Sequence, residues 1–139
     1  MKRGNYIVIE GIDGSGKGTI INELVDHEKG QGRRVFDVTR FVQESFIQEN
    51  EGRIHPRKLP EPSDFSDRYD VIITEEPTYA MIGQTIREEI VKNNERKYSA
   101  VAQIQAYSLD RLVHMKTVVI PALEQGLTVI QSRNVASTL

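Results

Sequence analysis

The sequence predicts an α/β fold in which a parallel sheet is flanked by helices, and three observations carry that expectation. Short apolar runs, Tyr6–Ile9, Asp70–Glu75 and Leu127–Gln131, are continuous rather than alternating, as strands buried on both faces are. Helical patterns separate these runs, and strands that alternate with helices are joined by crossovers into parallel sheets. The third observation is the most specific. Gly11-x-x-x-x-Gly16-Lys17 lies directly between the first run and a helical pattern. In that strand–turn–helix context it reads as a phosphate-binding loop.

Taken in order, Tyr6–Ile9 is the first strand, and Gly11, Ile12, Asp13, Gly14, Ser15, Gly16, Lys17, Gly18 and Thr19 form the loop expected to hold a nucleotide's phosphates. Backbone N–H groups in a tight turn converge on phosphate oxygens, and glycine lets the chain take that turn. The following helix adds unpaired N–H groups and the positive end of its dipole, and Lys17 adds a full charge. That helix runs from Gly18 to about Lys29, with Ile20, Ile21, Leu24 and Val25 as its apolar positions, and Gly30-Gln31-Gly32 ends it. Arg34–Thr39 reads as a short strand.

Residues 41–68 read as an insertion, helical over Val42–Gln48 and then an exposed loop, because Pro56, Pro60 and Pro62 suit neither a helix interior nor a central strand. His55 has no ligand-spaced partner and suggests no metal site. Asp70–Glu75 is the second clear strand and Glu76-Pro77-Thr78 breaks it. Ile82–Lys92 returns to helical spacing with Ile82, Ile86 and Ile90 on one face. Ser99 to about Leu123 is a long helical stretch with Pro121 near its last turn, and Leu127–Gln131 is the last strand. In such sheets ligands gather at the carboxyl ends of the strands, where the loop, Glu76-Pro77 and Arg133 all fall.

Length and composition set bounds on function. A chain of 139 residues suffices for one domain with its own core. The formal net charge of −2 gives no reason to expect a nucleic-acid or acidic-membrane partner, and the absence of cysteine removes disulfides and thiolate metal sites. No run is long enough to span a bilayer and the N-terminus lacks a signal-peptide pattern. The expectation is a soluble, cytoplasmic protein.

Several stretches together resemble a known family. Gly-Lys-Gly-Thr at 16–19, with a glycine where a magnesium-binding hydroxyl is more usual, is similar to several nucleoside monophosphate kinases. Tyr6-Ile-Val-Ile-Glu-Gly-Ile-Asp-Gly-Ser-Gly-Lys, Thr74-Glu-Glu-Pro-Thr, Tyr107-Ser-Leu-Asp-Arg-Leu-Val-His, Ile120-Pro-Ala-Leu-Glu-Gln-Gly and Ser132-Arg-Asn-Val-Ala-Ser-Thr-Leu, in this order, resemble thymidylate kinase. The resemblance implies a P-loop NTPase three-layer fold of the nucleoside monophosphate kinase kind, a single kinase domain over 1–139, and transfer of the ATP γ-phosphoryl group to dTMP with Mg2+. It also implies a homodimer.

Carried over residue by residue, the resemblance puts Lys17 and the loop amides on the ATP phosphates and Asp13 at the acceptor's sugar. Glu76 and Pro77 match the Glu-Pro pair near the acceptor. Arg87 and Arg111 fall where its phosphate is gripped, Tyr107 where its base is stacked, and Ser137 and Thr138 at paired small hydroxyls. Arg133 corresponds to the arginine of an Asp-Arg motif, and with Lys17 and Asp13 it makes the expected catalytic set. The chemistry agrees: transfer between two phosphorylated nucleotides calls for fixed cations, and the arginine fork suits phosphate.

Three positions depart from the pattern: Glu75 replaces an arginine, Ser132 replaces the aspartate of the Asp-Arg motif, and Gly14 stands where some members carry an arginine. Against the family's pattern the chain reads as C-terminally truncated, its resemblance stopping before a Tyr-Gln pair and an arginine-bearing lid. Two other readings stay open: an ATP-binding chain incompetent in transfer, and a kinase for a different nucleotide or nucleoside.

Overall fold

The computed structural model describes residues 2–11, 15–49, 57–91 and 95–134. Four strands, β1 (Tyr6–Gly11), β2 (Val35–Asp37), β3 (Val71–Glu76) and β4 (Thr128–Asn134), form one sheet in the order β1-β4-β3-β2, with every pairing parallel. The last strand thus inserts between the first and the third. The α/β expectation holds. The three clear strands form as well, each one to three residues longer at its carboxyl end than the apolar run alone, but β1, at the sheet's edge, has no fully buried residue where two buried faces were expected.

Helices α1 (Lys17–Gly30), α2 (Val38–Glu49), α3 (Pro62–Phe65), α4 (Ile82–Thr85), α5 (Ala100–His114) and α6 (Ile120–Glu124) complete the three layers. One face of the sheet carries the main core. Ile72 and Val129 meet Phe36, Val38, Val42, Leu59, Phe65, Val118, Val119 and Ala122 there. On the other face lies α1, of which Val25 is the buried residue while Ile20 is 47% exposed. Ile20 sits about 100° around the helix from Ile21, at the margin of the apolar stripe.

Three local expectations are corrected. Val38 and Thr39 open α2 rather than ending the short strand, because Asp37 caps the helix by accepting from the Arg40 N–H at 3.1 Å. The stretch after the α2 helix is not an exposed loop where it is described: Leu59, Pro60 and Phe65 are buried, and Pro62 starts α3 at a position where its missing N–H costs nothing. Residues 50–56, with His55, lie outside the described residues. Finally, the long helical stretch is α-helical to His114, π-helical over Met115–Val119, and α-helical again from Ile120. Pro121 falls in the first turn after the π-helical segment, where no intrahelical N–H is required of it. Ile86–Ile90, following α4, is π-helical as well.

Candidate nucleotide site

The carboxyl ends of β1, β3 and β4 converge with the start of α1. Gly16 holds the loop's exit at φ 86°, a left-handed conformation that favours glycine, and serves as the N-cap of α1. Lys17, the first helical residue, reaches back to the carbonyl of Gly11 at 3.2 Å and to the amide oxygen of Asn134. Of the predicted loop, Gly11, Ser15, Gly16, Lys17, Gly18 and Thr19 are described; Ile12, Asp13 and Gly14 lie outside the described residues, as do Ser137 and Thr138.

A cleft of about 400 Å³ opens beside Lys17. Gly18, Ile21 and Asn22 of α1 line one side, Asp37 and Thr39 the far end, Thr74 and Glu75 of β3 the floor with Ser132 and Asn134 of β4, and Tyr79 and Arg87 the remaining wall. Arg87 is firmly placed. Its Nε donates to the carbonyls of Pro77 (3.1 Å) and Thr78 (3.2 Å), one terminal nitrogen donates to Pro77 (2.6 Å) and lies 3.4 Å from the Glu75 carboxylate, and its guanidinium stacks 3.9 Å over the Tyr79 ring. Glu75 therefore lies beside an arginine in the cleft, where a phosphate would otherwise compete for it.

Next to the cleft, sheet register builds a row of charge. Glu10, Arg133 and Glu76 are cross-strand partners on β1, β4 and β3. Arg133 donates to Glu10 at 2.6 Å and to Glu76 at 3.3 Å, while Arg111 of α5, half exposed, approaches Glu76 at 3.8 Å. Glu76 is 5% exposed. Burial alone would raise its pKa, but the hydrogen bond from His114 and the charges of Arg133 and Arg111 outweigh burial and hold it below the ordinary glutamate value. His114, completely buried, places Nδ1 2.9 Å from Glu76 and Nε2 2.7 Å from the Thr74 hydroxyl.

The turn after β3 is fixed from α5. Thr78 donates its backbone N–H (2.8 Å) and its hydroxyl (2.7 Å) to the two oxygens of Asp110. Asp110 is buried, so its neighbour Arg111 alone of this pair belongs to the surface. Burial pushes the Asp110 carboxyl up, and the two bonds from Thr78 offset only part of that. Gly83 permits the close packing of α4 on this turn, since a Cβ there would lie 2.2 Å from the Thr78 carbonyl oxygen. Pro77 is buried in the same turn, behind a cis Glu76–Pro77 peptide.

The structure thus brings Lys17 and Arg87 to one cleft, and Glu76, Arg111 and Arg133 to one cluster at the adjoining strand ends. Tyr107 lies one helical turn before Arg111 on α5, half-buried, and does not line the cleft. Sequence reasoning assigned no role to His114, Thr74, Asn134 or Glu10. A signal was present for two of them: Thr74 and Glu76 share a strand face at i, i+2, and Arg111 and His114 share a helix face at i, i+3.

A family model described as thymidylate kinase matches residues 64–139, which contain the Glu-Pro turn, α5 and the Arg133 strand. The chain belongs to the thymidylate kinase family. It is 31% identical to a probable thymidylate kinase of Pyrococcus abyssi, covering 99% of this chain and 51% of that protein. It is 32% identical to a thymidylate kinase of Prochlorococcus marinus (strain MIT 9301), covering 99% and 50%, and 30% identical to one of Sulfurihydrogenibium, covering 97% and 48%. The chain spans about half the length of the curated relatives it matches. The glycine loop with Lys17 and the parallel sheet are those of a P-loop NTPase-like fold, as family membership requires.

Proposed function

We propose that the whole protein transfers the γ-phosphoryl group of ATP to the 5′-phosphate of dTMP. The observation that carries this reading is the placement of Lys17 and Arg87 in one cleft beside the Arg111–Glu76–Arg133 cluster, in a member of this family. An oxygen of the acceptor phosphate attacks the γ-phosphorus, the bond to the β–γ bridging oxygen breaks, and ADP leaves. The acceptor phosphate is already ionised at neutral pH, so no side chain need remove a proton; the work is alignment and charge neutralisation. Lys17 exchanges Gly11 and Asn134 for ATP phosphate oxygens, and Arg111 and Arg133 hold the acceptor phosphate. Arg87 grips the same acceptor from the cleft wall with Glu76 and Pro77 framing the turn, and Tyr107 stacks on the base. From family resemblance, Asp13 is assigned to the acceptor's sugar and Ser137 and Thr138 to paired hydroxyl contacts.

Magnesium accompanies the ATP in this reading, held by nucleotide phosphates. Among the described residues no three His, Cys, Asp or Glu side chains group to hold a metal, and the strand end beside Lys17 offers the neutral oxygens of Ser132 and Asn134. These residues do not build a protein-held magnesium site, and no step is assigned to one.

Among the described residues no helix is long and apolar enough to cross a membrane; the cytoplasmic setting is proposed from the family resemblance alone. A homodimer is proposed with α5 as its contact, supported by Val101, Ile104, Leu109 and Leu112, which are 64%, 47%, 49% and 68% exposed on neighbouring turns of that helix. A second reading, a different acceptor monophosphate, is favoured by Glu75 beside Arg87.

The test is ADP release by the full-length protein with ATP and a panel of deoxynucleoside monophosphates. Preferred turnover of dTMP is expected. A different preferred acceptor selects the second reading, and nucleotide binding without product on any acceptor overturns both.

A further inference from the structure

His114 is completely buried, yet it is tied at both ring nitrogens to the strand that carries the acceptor-side cluster. We propose that His114 is a positioning residue: its Nδ1–H, donated to one oxygen of Glu76, fixes that carboxylate so that the other oxygen faces Arg111 and Arg133.

The assignment follows from donors and acceptors. Glu76 is an ionised acceptor, so the ring nitrogen 2.9 Å from its Oε2 must carry a proton. The Thr74 hydroxyl, 2.7 Å from Nε2, completes the ring's other side and can donate to it. A carboxylate's terminal torsion is broad, so bonds on one oxygen alone do not set its plane. With Oε2 held by His114, Oε1 is left 3.3 Å from Arg133 Nε and 3.8 Å from Arg111 Nε. Arg133 has a second anchor in Glu10, whereas Arg111, 53% exposed, has Glu76 as its anchor among the described residues. The orientation of Glu76 therefore matters most for Arg111. Three positions of one helix end, Asp110, Arg111 and His114, thus act together on the end of β3.

What the arginines bind rests on the proposed function; the brace itself rests on the geometry. Two variants of the full-length protein separate its halves. His114→Asn keeps an N–H near the Nδ1 position and loses the Thr74 contact, while His114→Gln keeps a polar group near Nε2 and loses the contact to Glu76. Hydrogen exchange at the Arg133 Nε–H, read by NMR, is expected to be slow in wild type and His114→Asn and about tenfold faster in His114→Gln. The KM for the acceptor monophosphate is expected to rise about tenfold in His114→Gln, equivalent to ~1.4 kcal/mol, with the KM for ATP unchanged and His114→Asn near wild type. Melting curves establish that both variants fold.

Equal behaviour of the two variants in exchange and in KM overturns the proposal, as does an imidazole ¹⁵N spectrum showing Nδ1 unprotonated. A wild-type protein that phosphorylates no deoxynucleoside monophosphate overturns the functional reading instead. The exchange and tautomer measurements then still decide the brace.

Discussion

Lys17, at the start of α1, reaches the ends of β1 and β4, Arg133 stands at the end of β4, and their partners differ in charge. Among the described residues Lys17 donates to two neutral oxygens, the Gly11 carbonyl and the Asn134 amide, whereas Arg133 lies between two carboxylates, Glu10 and Glu76. Exchanging a neutral oxygen for a phosphate adds an ion pair to the ammonium's hydrogen bond; exchanging a carboxylate for one gains far less. Under the proposed function, the ATP side is thus prepared to release its cation to a ligand, and the acceptor side to keep its cations in place and present them already oriented. Preorganised charge of the second kind is what alignment-driven phosphoryl transfer requires.

The largest expected effect lies on the releasable side. Lys17→Ala should lower turnover by about 100-fold or more, the scale on which one preorganised electrostatic contact acts, while the melting temperature stays near wild type because the lost partners are neutral and near solvent. Unchanged turnover would break the comparison at its first term. On the braced side the balance reverses. Glu76→Gln removes the common anion of Arg111, Arg133 and His114, and should cost about 2 kcal/mol of stability from charge-assisted bonds, seen in denaturant unfolding, before any assay is run.

The contrast between the two sides also separates what could be read from the sequence from what could not. Lys17 and its glycines were legible because the motif is local: strand, turn and helix lie within fifteen or so residues, and their chemistry is written in their spacing. The Glu10–Arg133–Glu76 cluster is a product of register. Glu10, Arg133 and Glu76 become neighbours because β4 inserts between β1 and β3, a pairing order that periodicity does not encode. Glu76 and Arg133 were placed at carboxyl strand ends by the pattern and given roles by family resemblance, and neither showed their bond to each other. Asp110 drew no role of its own from the sequence, because a carboxylate's burial depends on a distant donor, here Thr78. The same reason hid Leu59 and Phe65, whose flanking prolines suggested a loop although their side chains enter the core.

Acid titration sharpens the comparison further. Glu76 has a folded pKa below its ordinary value of 4.5, so its contribution is fully present above that value and is lost as pH falls through the folded pKa. Asp110 is shifted the other way by burial, so its contribution is present below its ordinary value of 3.8 and is lost as pH rises through the folded pKa. Unfolding measured across the acid range should therefore show less loss below pH 4.5 in Glu76→Gln than in wild type. In Asp110→Asn, the carboxyl's gain on protonation disappears, and the variant should lose stability more steeply than wild type as pH falls. Parallel curves for all three proteins would mean that neither carboxylate is linked to folding in the direction its surroundings dictate.

A smaller effect is expected where the two sides meet. Glu75 lines the same cleft as Lys17 but pairs with Arg87, at 3.4 Å and with 39% of its side chain exposed. A partly solvated pair of this kind is worth ~1 kcal/mol at most. Arg87 does not depend on it for position, since Pro77, Thr78 and the Tyr79 ring hold the guanidinium independently. Glu75→Gln should therefore leave Arg87 in place while removing a like charge from the path of an incoming phosphate. Calorimetric titration with an acceptor monophosphate is expected to show tighter binding by about fivefold, the equivalent of ~1 kcal/mol, with ATP affinity unchanged. Weaker acceptor binding in this variant would show that Glu75 is itself an acceptor contact, receiving a donor from the base or sugar. The carboxylates of the acceptor side would then read the ligand as well as hold the arginines.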